Sequence, residues 1–411
     1  MTRRALSRPR RSGAEWGVRT ALALGAAALA YGSITHTLAY SLRASATQLA
    51  HALAPSDGRI TALLAEQMSG PEASATDRRQ ANILASEALR EEPTAVPAVS
   101  TLGINAQIHG DTAAARRIFA QSDALSRRDV RTRLWAIEDA VGRQDIPETL
   151  RNYDIALRTS RAMPDLLFPV LAGAIGDPNI RAGLVKILSS RPLWLPQWIV
   201  YISGNGPNAR DAVALFRALD QARVPIPYDA RSALLRRLVG QGLVEEAWAF
   251  YAASTRNADR RMSRDPQFQA DHAVPSPFDW TAIQDNSIAS SIQRGQRGGI
   301  FDFTASAGMG GPMLLQMQML PPGRYVIEGT STGIDPSEPS RPYWRLACTS
   351  GRELGRVGIP ADPAAQGQFR GNFDVPMGCA TQYLTLVARA SSQTSGVSGQ
   401  ITRAFLHPVK L

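Results

Sequence analysis

Residues 20–40, TALALGAAALAYGSITHTLAY, contain no Asp, Glu, Lys or Arg. At 1.5 Å per residue such a helix is about 30 Å long, the thickness of a bilayer's hydrocarbon core. The stretch before it, MTRRALSRPRR, carries five arginines and no acid. Basic flanks stay on the cytoplasmic side of a membrane. The pattern therefore predicts a basic cytoplasmic tail over 1–19, a transmembrane helix over 20–40, and export of everything after Tyr40. Two other readings fit the same residues. One is a cleaved signal peptide, with the small-residue run Ala44-Ser45-Ala46 at the cleavage point. The other is a buried soluble helix, which leaves the arginine cluster without a purpose.

The chain has 411 residues, too many for one ordinary core, so two or three folding units are expected. Its formal charge is +10, and all but two of its 45 basic residues (Lys186 and Lys410) are arginine. These come as scattered doublets, such as Arg78–Arg79, Arg116–Arg117, Arg127–Arg128, Arg236–Arg237 and Arg260–Arg261. A nucleic-acid face needs a clustered stripe. Scattered doublets are solvated helix faces, and no nucleic-acid partner is expected.

The middle of the chain is built of helical hairpins. In TLGINAQIHGDTAAARRIFAQSDAL, residues 101–125, a Gly110–Asp111 turn separates two helices, and Asp111 and Thr112 are placed to cap the second. Small residues at Gly103, Ala106 and Ala115 let the helices approach, and Phe119 fills the gap toward the next hairpin. The spacing resembles the tetratricopeptide repeat, and it echoes at 34 residues: Phe119 with Tyr153, Ala106 with Ala140, Ser122 with Ala88. Ala85 and Thr149 depart from the family's pattern. Two later hairpins, at 209–222 and 231–254, are similar without keeping the period. The resemblance implies an α-solenoid over 45–258, whose concave surface would hold a protein partner.

After a polar linker at 259–277 the texture changes to short alternating runs: GIFDFTAS, MLLQMQML, RYVIEGTST, YWRLAC, QFRGNFDV, QYLTLVARA and QITRAFLHPV. Turn signals at 321–323 and Asp362–Pro363 separate them. In MLLQMQML the face Leu315, Met317, Met319 reads as the buried side of a strand. Short strands at this spacing predict an antiparallel β-sandwich of jelly-roll type over 278–411. It resembles the carbohydrate-binding modules of bacterial surface proteins. That resemblance makes Trp280, Tyr343 and Trp344 the candidates for stacking on sugar rings, with Tyr325 and Tyr383 behind them. The opposite expectation is that such aromatics fill the sandwich core. Cys348 and Cys379 sit at strand edges. In an oxidising compartment a bridge between them contributes about 3 kcal/mol. The same pattern also fits two unrelated buried thiols.

Motifs for chemistry fail on context. GTSTG at 329–333 matches a nucleophile elbow, but no helix can follow it through IDPSEPSRP. GNGPNA at 204–209 lacks the strand series of a dinucleotide site, and Asn208 is better read as a helix cap. The five histidines and two cysteines show no metal-ligand spacing. No catalytic residue, metal or cofactor is expected. The combined features resemble bacterial envelope accessory proteins of exopolysaccharide or surface-glycan assembly and export. That implies a non-catalytic, single-pass inner-membrane scaffold, its bulk periplasmic, holding an envelope protein and polysaccharide. A glycan-modifying enzyme with a site at the domain junction, or a purely structural spacer, are the alternatives.

Overall fold

The computed structural model describes residues 12–270, 272–295, 298–334, 340–360 and 367–409. The basic stretch 1–11 and the Asp362–Pro363 turn lie outside the described residues. The chain divides into two compact units, 1–167 and 168–411.

The first unit opens with α1 (Gly13–Leu42), a 30-residue helix that runs further in both directions than the uncharged stretch. Leu22, Leu24, Leu29 and Ile34 on it are exposed, and Ala39 is its one buried residue, clustered with Ala50 and Ile60. Helices α2 (Thr47–Leu53), α3 (Gly58–Met68), α4 (Ala75–Glu91), α5 (Val96–Ile108), α6 (Thr112–Leu125), α7 (Val130–Gly142) and α8 (Ile146–Thr159) follow. Short acidic or hydroxyl side chains start most of them. Asp57, Ser74, Asp111, Asp129 and Asp145 each accept first-turn N–H groups that have no partner inside the helix. Gly110, at φ +82°, makes the left-handed turn from α5 into α6.

Each helix packs on its sequence neighbours: α3 on α4 and α5, α5 on α6 and α7, α7 on α8. Small residues set the spacing. Ala85, Ala88, Ala115 and Ala140 have essentially no exposed surface. A Cβ at Gly103 would lie 2.9 Å from the Phe119 ring, so only glycine lets α5 and α6 approach this closely. Phe119 in turn stacks on Trp135 of α7, with ring centroids 4.4 Å apart.

Helix α9 (Met163–Ala174) spans the division between the units. The second unit continues with α10 (Pro178–Ser189), α11 (Leu195–Asn205), α12 (Ala209–Gln221), α13 (Tyr228–Gly240) and α14 (Val244–Ser254). The WIVYI run lies inside α11, and the Asn208 side chain accepts the Arg210 N–H to start α12.

Ten strands follow among the described residues: β1 (Thr281–Ala282), β2 (Ile288–Gly295), β3 (Gly298–Ala305), β4 (Gly311–Gln318), β5 (Gly323–Thr332), β6 (Tyr343–Cys348), β7 (Glu353–Gly358), β8 (Gln368–Val375), β9 (Gln382–Ala388) and β10 (Val397–Pro408). They form two antiparallel five-stranded sheets, ordered β1-β4-β9-β6-β7 and β2-β3-β10-β5-β8. One buried cluster joins them. Leu314, Leu384, Leu386, Trp344 and Leu346 come from the first sheet, and Phe301, Phe303, Ile327, Phe369 and Phe373 from the second.

The register extends the sequence reading of β4. Leu314 lies opposite Leu386, and Gln316 opposite Leu384, so Leu314 and Gln316 share the inward face. Leu315 and Met317 point to the other side, where Met317 and Met319 are buried as the sequence predicts, so β4 is covered on both faces. Gln316 and Gln318 can face inward because a buried arginine receives them. Gln318 Oε1 accepts from the Arg264 guanidinium at 2.7 Å, and Gln316 Oε1 accepts the Arg264 N–H at 3.1 Å. The segment 259–277 is thus packed chain. Arg264, Phe268 and Ser276 in it are buried, and Ala404 of β10 donates its N–H to the Pro266 carbonyl.

Candidate functional site

Two of the three aromatic residues singled out for sugar stacking, Trp280 and Trp344, turn their rings inward. Trp344 has no exposed surface and sits in the inter-sheet cluster beside Phe369. Trp280 is 5% exposed, packed between Phe268 and Trp344, and its Nε1–H donates to the Asp265 carbonyl at 2.9 Å. Neither presents a face to a ligand. The alternation that leaves one of two adjacent aromatics outward applies to Tyr343, which is on the outer face but only 9% exposed. Two guanidiniums cover it: Arg356 lies 5.0 Å and Arg389 4.9 Å from its ring centroid. Tyr325 is buried and donates its hydroxyl to the Pro321 carbonyl. Tyr383 is 37% exposed.

The register gathers these outward residues. Tyr343 pairs with Val387 and Gly358, Arg345 with Thr385 and Arg356, and Ala347 with Tyr383. Opposed residues of antiparallel strands project to one side, so Tyr343, Arg345, Arg356 and Tyr383 share the outer face of the β9-β6-β7 sheet. Glu353 is the carboxylate among them, bound to Arg356 at 2.6 Å. Its hydrogen bond to Arg356, and then the charges of Arg356 and Arg345, hold it below the ordinary glutamate value against the opposing effect of burial. The Arg345 Nε is buried and has no hydrogen-bond partner among the described residues.

At the β7 end, Cys348 closes β6 and is bridged to Cys379, with Cα atoms 5.6 Å apart. The bridge encloses the β7 and β8 segment.

A second feature lies within the C-terminal unit, where α13 and α14 meet the start of the sandwich. Two adjoining clefts of about 370 and 330 Å³ share His272, Asp265 and Asp279 on their walls. The Asp279 carboxylate is 8% exposed and accepts three donors: the Tyr228 hydroxyl, the Tyr251 hydroxyl at 3.1 Å and the Ser276 N–H at 2.8 Å. Burial, and then the Asp279 charge, push both phenols far above their ordinary value, so they stay protonated donors. His272 lies flat on Tyr228, centroids 3.5 Å apart. Arg264 completes the group: burial pushes its guanidinium down to about 10, and it donates to the Phe278 carbonyl at 3.0 Å.

No family model matches the chain. No curated protein matches it significantly. Solved structures do. The carbohydrate-binding module TmCBM61 in complex with β-1,4-galactotriose is 13% identical, over 38% of this chain and all of that one, at a TM-score of 0.24. A carbohydrate-binding module from the Cellvibrio mixtus lichenase 5A, in complex with cellotriose, is 14% identical over 31% of this chain and 92% of its own, at 0.20. An arabinose-bound α-L-arabinofuranosidase is 10% identical over 36% of this chain, at 0.28, and the chain spans about a quarter of that enzyme's length (26%).

Sequence reasoning missed both groupings. Neither Asp279 nor Arg264 stands in a motif of the sequence. Their partners lie on α13, α14 and β4, so no local spacing could have shown them. Ser331 of the GTSTG run lies within β5 and donates its hydroxyl to the Gly367 carbonyl at 3.0 Å.

Proposed function

We propose that the chain is a non-catalytic, membrane-anchored scaffold of the bacterial cell envelope. Its helical hairpins, as a tetratricopeptide-like solenoid, hold a protein partner. Its sandwich, of jelly-roll type, holds polysaccharide, in support of exopolysaccharide or surface-glycan assembly or export. The observation that carries this reading is α1. A 30-residue helix, uncharged over 20–40 and with one buried side chain, has little protein core to occupy, and a bilayer is a solvent that suits such a surface. The basic flank before it and the Cys348–Cys379 bridge after it support an exported body. With Trp280 and Trp344 inside the core, the glycan contact falls to the outer face bearing Tyr343 and Tyr383.

The test is topological. A reporter active only outside the cytoplasm is fused after the last residue, and membranes are fractionated. An active, membrane-retained fusion is the expected result; an inactive one overturns the reading.

The clefts around Asp279 support one alternative, a glycan-modifying enzyme with its site where helices meet sandwich. A carboxylate that acts as acid or base must exchange protons with a substrate, whereas Asp279 is already held by three donors. Polysaccharide turnover by the purified protein, abolished in Asp279→Asn, would favour the enzyme over the scaffold.

A further inference from the structure

We infer that the outer face of the β9-β6-β7 sheet binds an acidic polysaccharide through its sugar carboxylates. The inference rests on the glycan-binding reading above and names the class of glycan.

The first observation is a like-charge pair. Arg345 and Arg356 lie directly opposite each other in the β6–β7 ladder. Two cations in that relation repel at short range and weaken the sheet. Glu353 binds Arg356 through two of its N–H groups, at 2.6 and 3.0 Å, which answers one of the two charges. Arg345 keeps a buried Nε–H with no partner among the described residues. Arg345 as a residue is only half-buried, so its guanidinium charge stays available to a carboxylate arriving from outside.

The second observation is the clasp on Tyr343. A guanidinium over a ring spends none of its N–H groups there, and Arg389 makes no hydrogen bond or ion pair among the described residues. Arg345 and Arg389 therefore offer planar donor forks that match carboxylate geometry. With Arg356 beside them, the three arginines face a single acid, Glu353, among the described residues. That imbalance selects an anion, and Tyr383, exposed two positions along β9 from Thr385, supplies an aromatic surface for a sugar ring. A polymer carrying a carboxylate on each ring satisfies both demands.

The test uses the full chain in nanodiscs, with alginate as the acidic probe, carboxyl-reduced alginate as its neutral counterpart, and single-stranded DNA as a generic polyanion. Alginate is expected to bind and the other two to bind at least about tenfold more weakly. The double variant R345Q/R389Q should weaken alginate binding about tenfold or more. The control R324Q/R403Q removes the same charge from the other sheet, and should change it by about twofold or less. Arg389→Gln alone, at an exposed position, keeps the test valid if the double variant misfolds, and should weaken binding about threefold or more. Unchanged binding in R389Q and R345Q/R389Q overturns the inference, as does equal loss in the control or equal binding of DNA. If carboxyl-reduced alginate binds as well as alginate, the acidic assignment falls while glycan binding stands. If no polysaccharide binds at all, both fall together.

Discussion

Tyr251 of α14 donates its hydroxyl to Asp279, 28 residues later at the start of the sandwich, across 3.1 Å in a buried setting. With Tyr228 and the Ser276 N–H on the same carboxylate, the bond ties the last two helices to the lead-in of β1. Removing the carboxylate takes away the Asp279 charge that favours the charged Arg264 guanidinium and the carboxylate acceptor shared by two phenols. Asp279→Ala is therefore expected to destabilise the protein by about 3–5 kcal/mol, and Tyr251→Phe by about 1.5–3 kcal/mol. Chemical denaturation of the two variants measures the difference. Equal, near-zero effects would show that the network holds nothing together.

The second prediction concerns Gly103 and Phe119. The ring cannot yield easily, because Trp135 stacks on its far side. Gly103→Val puts atoms where the ring now lies, an overpacking cost of about 1–3 kcal/mol. Phe119→Ala opens a cavity costing about 3–5 kcal/mol. In the double variant the new methyl groups enter that cavity, so the combined loss should be smaller than the two single losses together by about 1 kcal/mol or more. Thermal unfolding of the three variants closes the cycle. Simple additivity would mean the two positions do not touch.

These two sites mark how far the sequence was legible. The α5–α6 hairpin could be read because its signals are local: a Gly110–Asp111 turn, a capping aspartate and small residues at helical spacing. Seven of the ten strands could be read for the same reason, from alternation and turn residues. Strands β2 and β7 escaped because IASSIQRG turns Ser290 inward and ELGRVG turns a glycine inward, so neither alternates visibly. The two-residue β1 is too short to carry a pattern. The inward Gln316 and Gln318 hid that β4 is covered on both faces, the Met317–Met319 side as well as the inter-sheet side. They are explained only by Arg264, more than fifty residues earlier in the chain. Two of the sugar-stacking candidates escaped for a related reason: composition cannot distinguish an aromatic that fills a core from one that faces outward, and Trp280 and Trp344 fill the core while Tyr343 lies on the outer face.

The third prediction follows from Asp139 in α7, which binds Arg116 at 2.8 Å and Arg143 at 3.1 Å. Burial pushes its carboxyl up, but hydrogen bonds from the two guanidiniums outweigh it and hold the group below its ordinary value of 3.8. The folded protein thus binds this proton less readily than the unfolded chain does. The associated stability is complete above about pH 4 and is lost as the pH falls through the lower folded value. Asp139→Asn is expected to lower the melting temperature at neutral pH and to converge on the parent protein as the pH falls through the lower folded value. A difference between the two that does not shrink with acid would rule out the ion pairs as its source.

The last prediction concerns the Cys348–Cys379 bridge, which closes a loop of 31 residues around β7 and β8. Both sulfurs are buried, Cys348 in the inter-sheet cluster and Cys379 within reach of the Gln382 side chain. Cross-linking this loop limits the unfolded chain, for a stabilisation of about 3 kcal/mol. Replacing both cysteines by serine should cost that amount and also leave two hydroxyls in a buried apolar site. Replacing both by alanine avoids the second penalty, so the alanine pair should be the more stable of the two variants. The same bridge reports on compartment. Thiols modified by a maleimide only after reduction, in protein taken from whole cells, are the expected result for an exported sandwich. Free thiols in freshly isolated protein would instead place the sandwich in a reducing space, and the anchored-scaffold topology would fail with it.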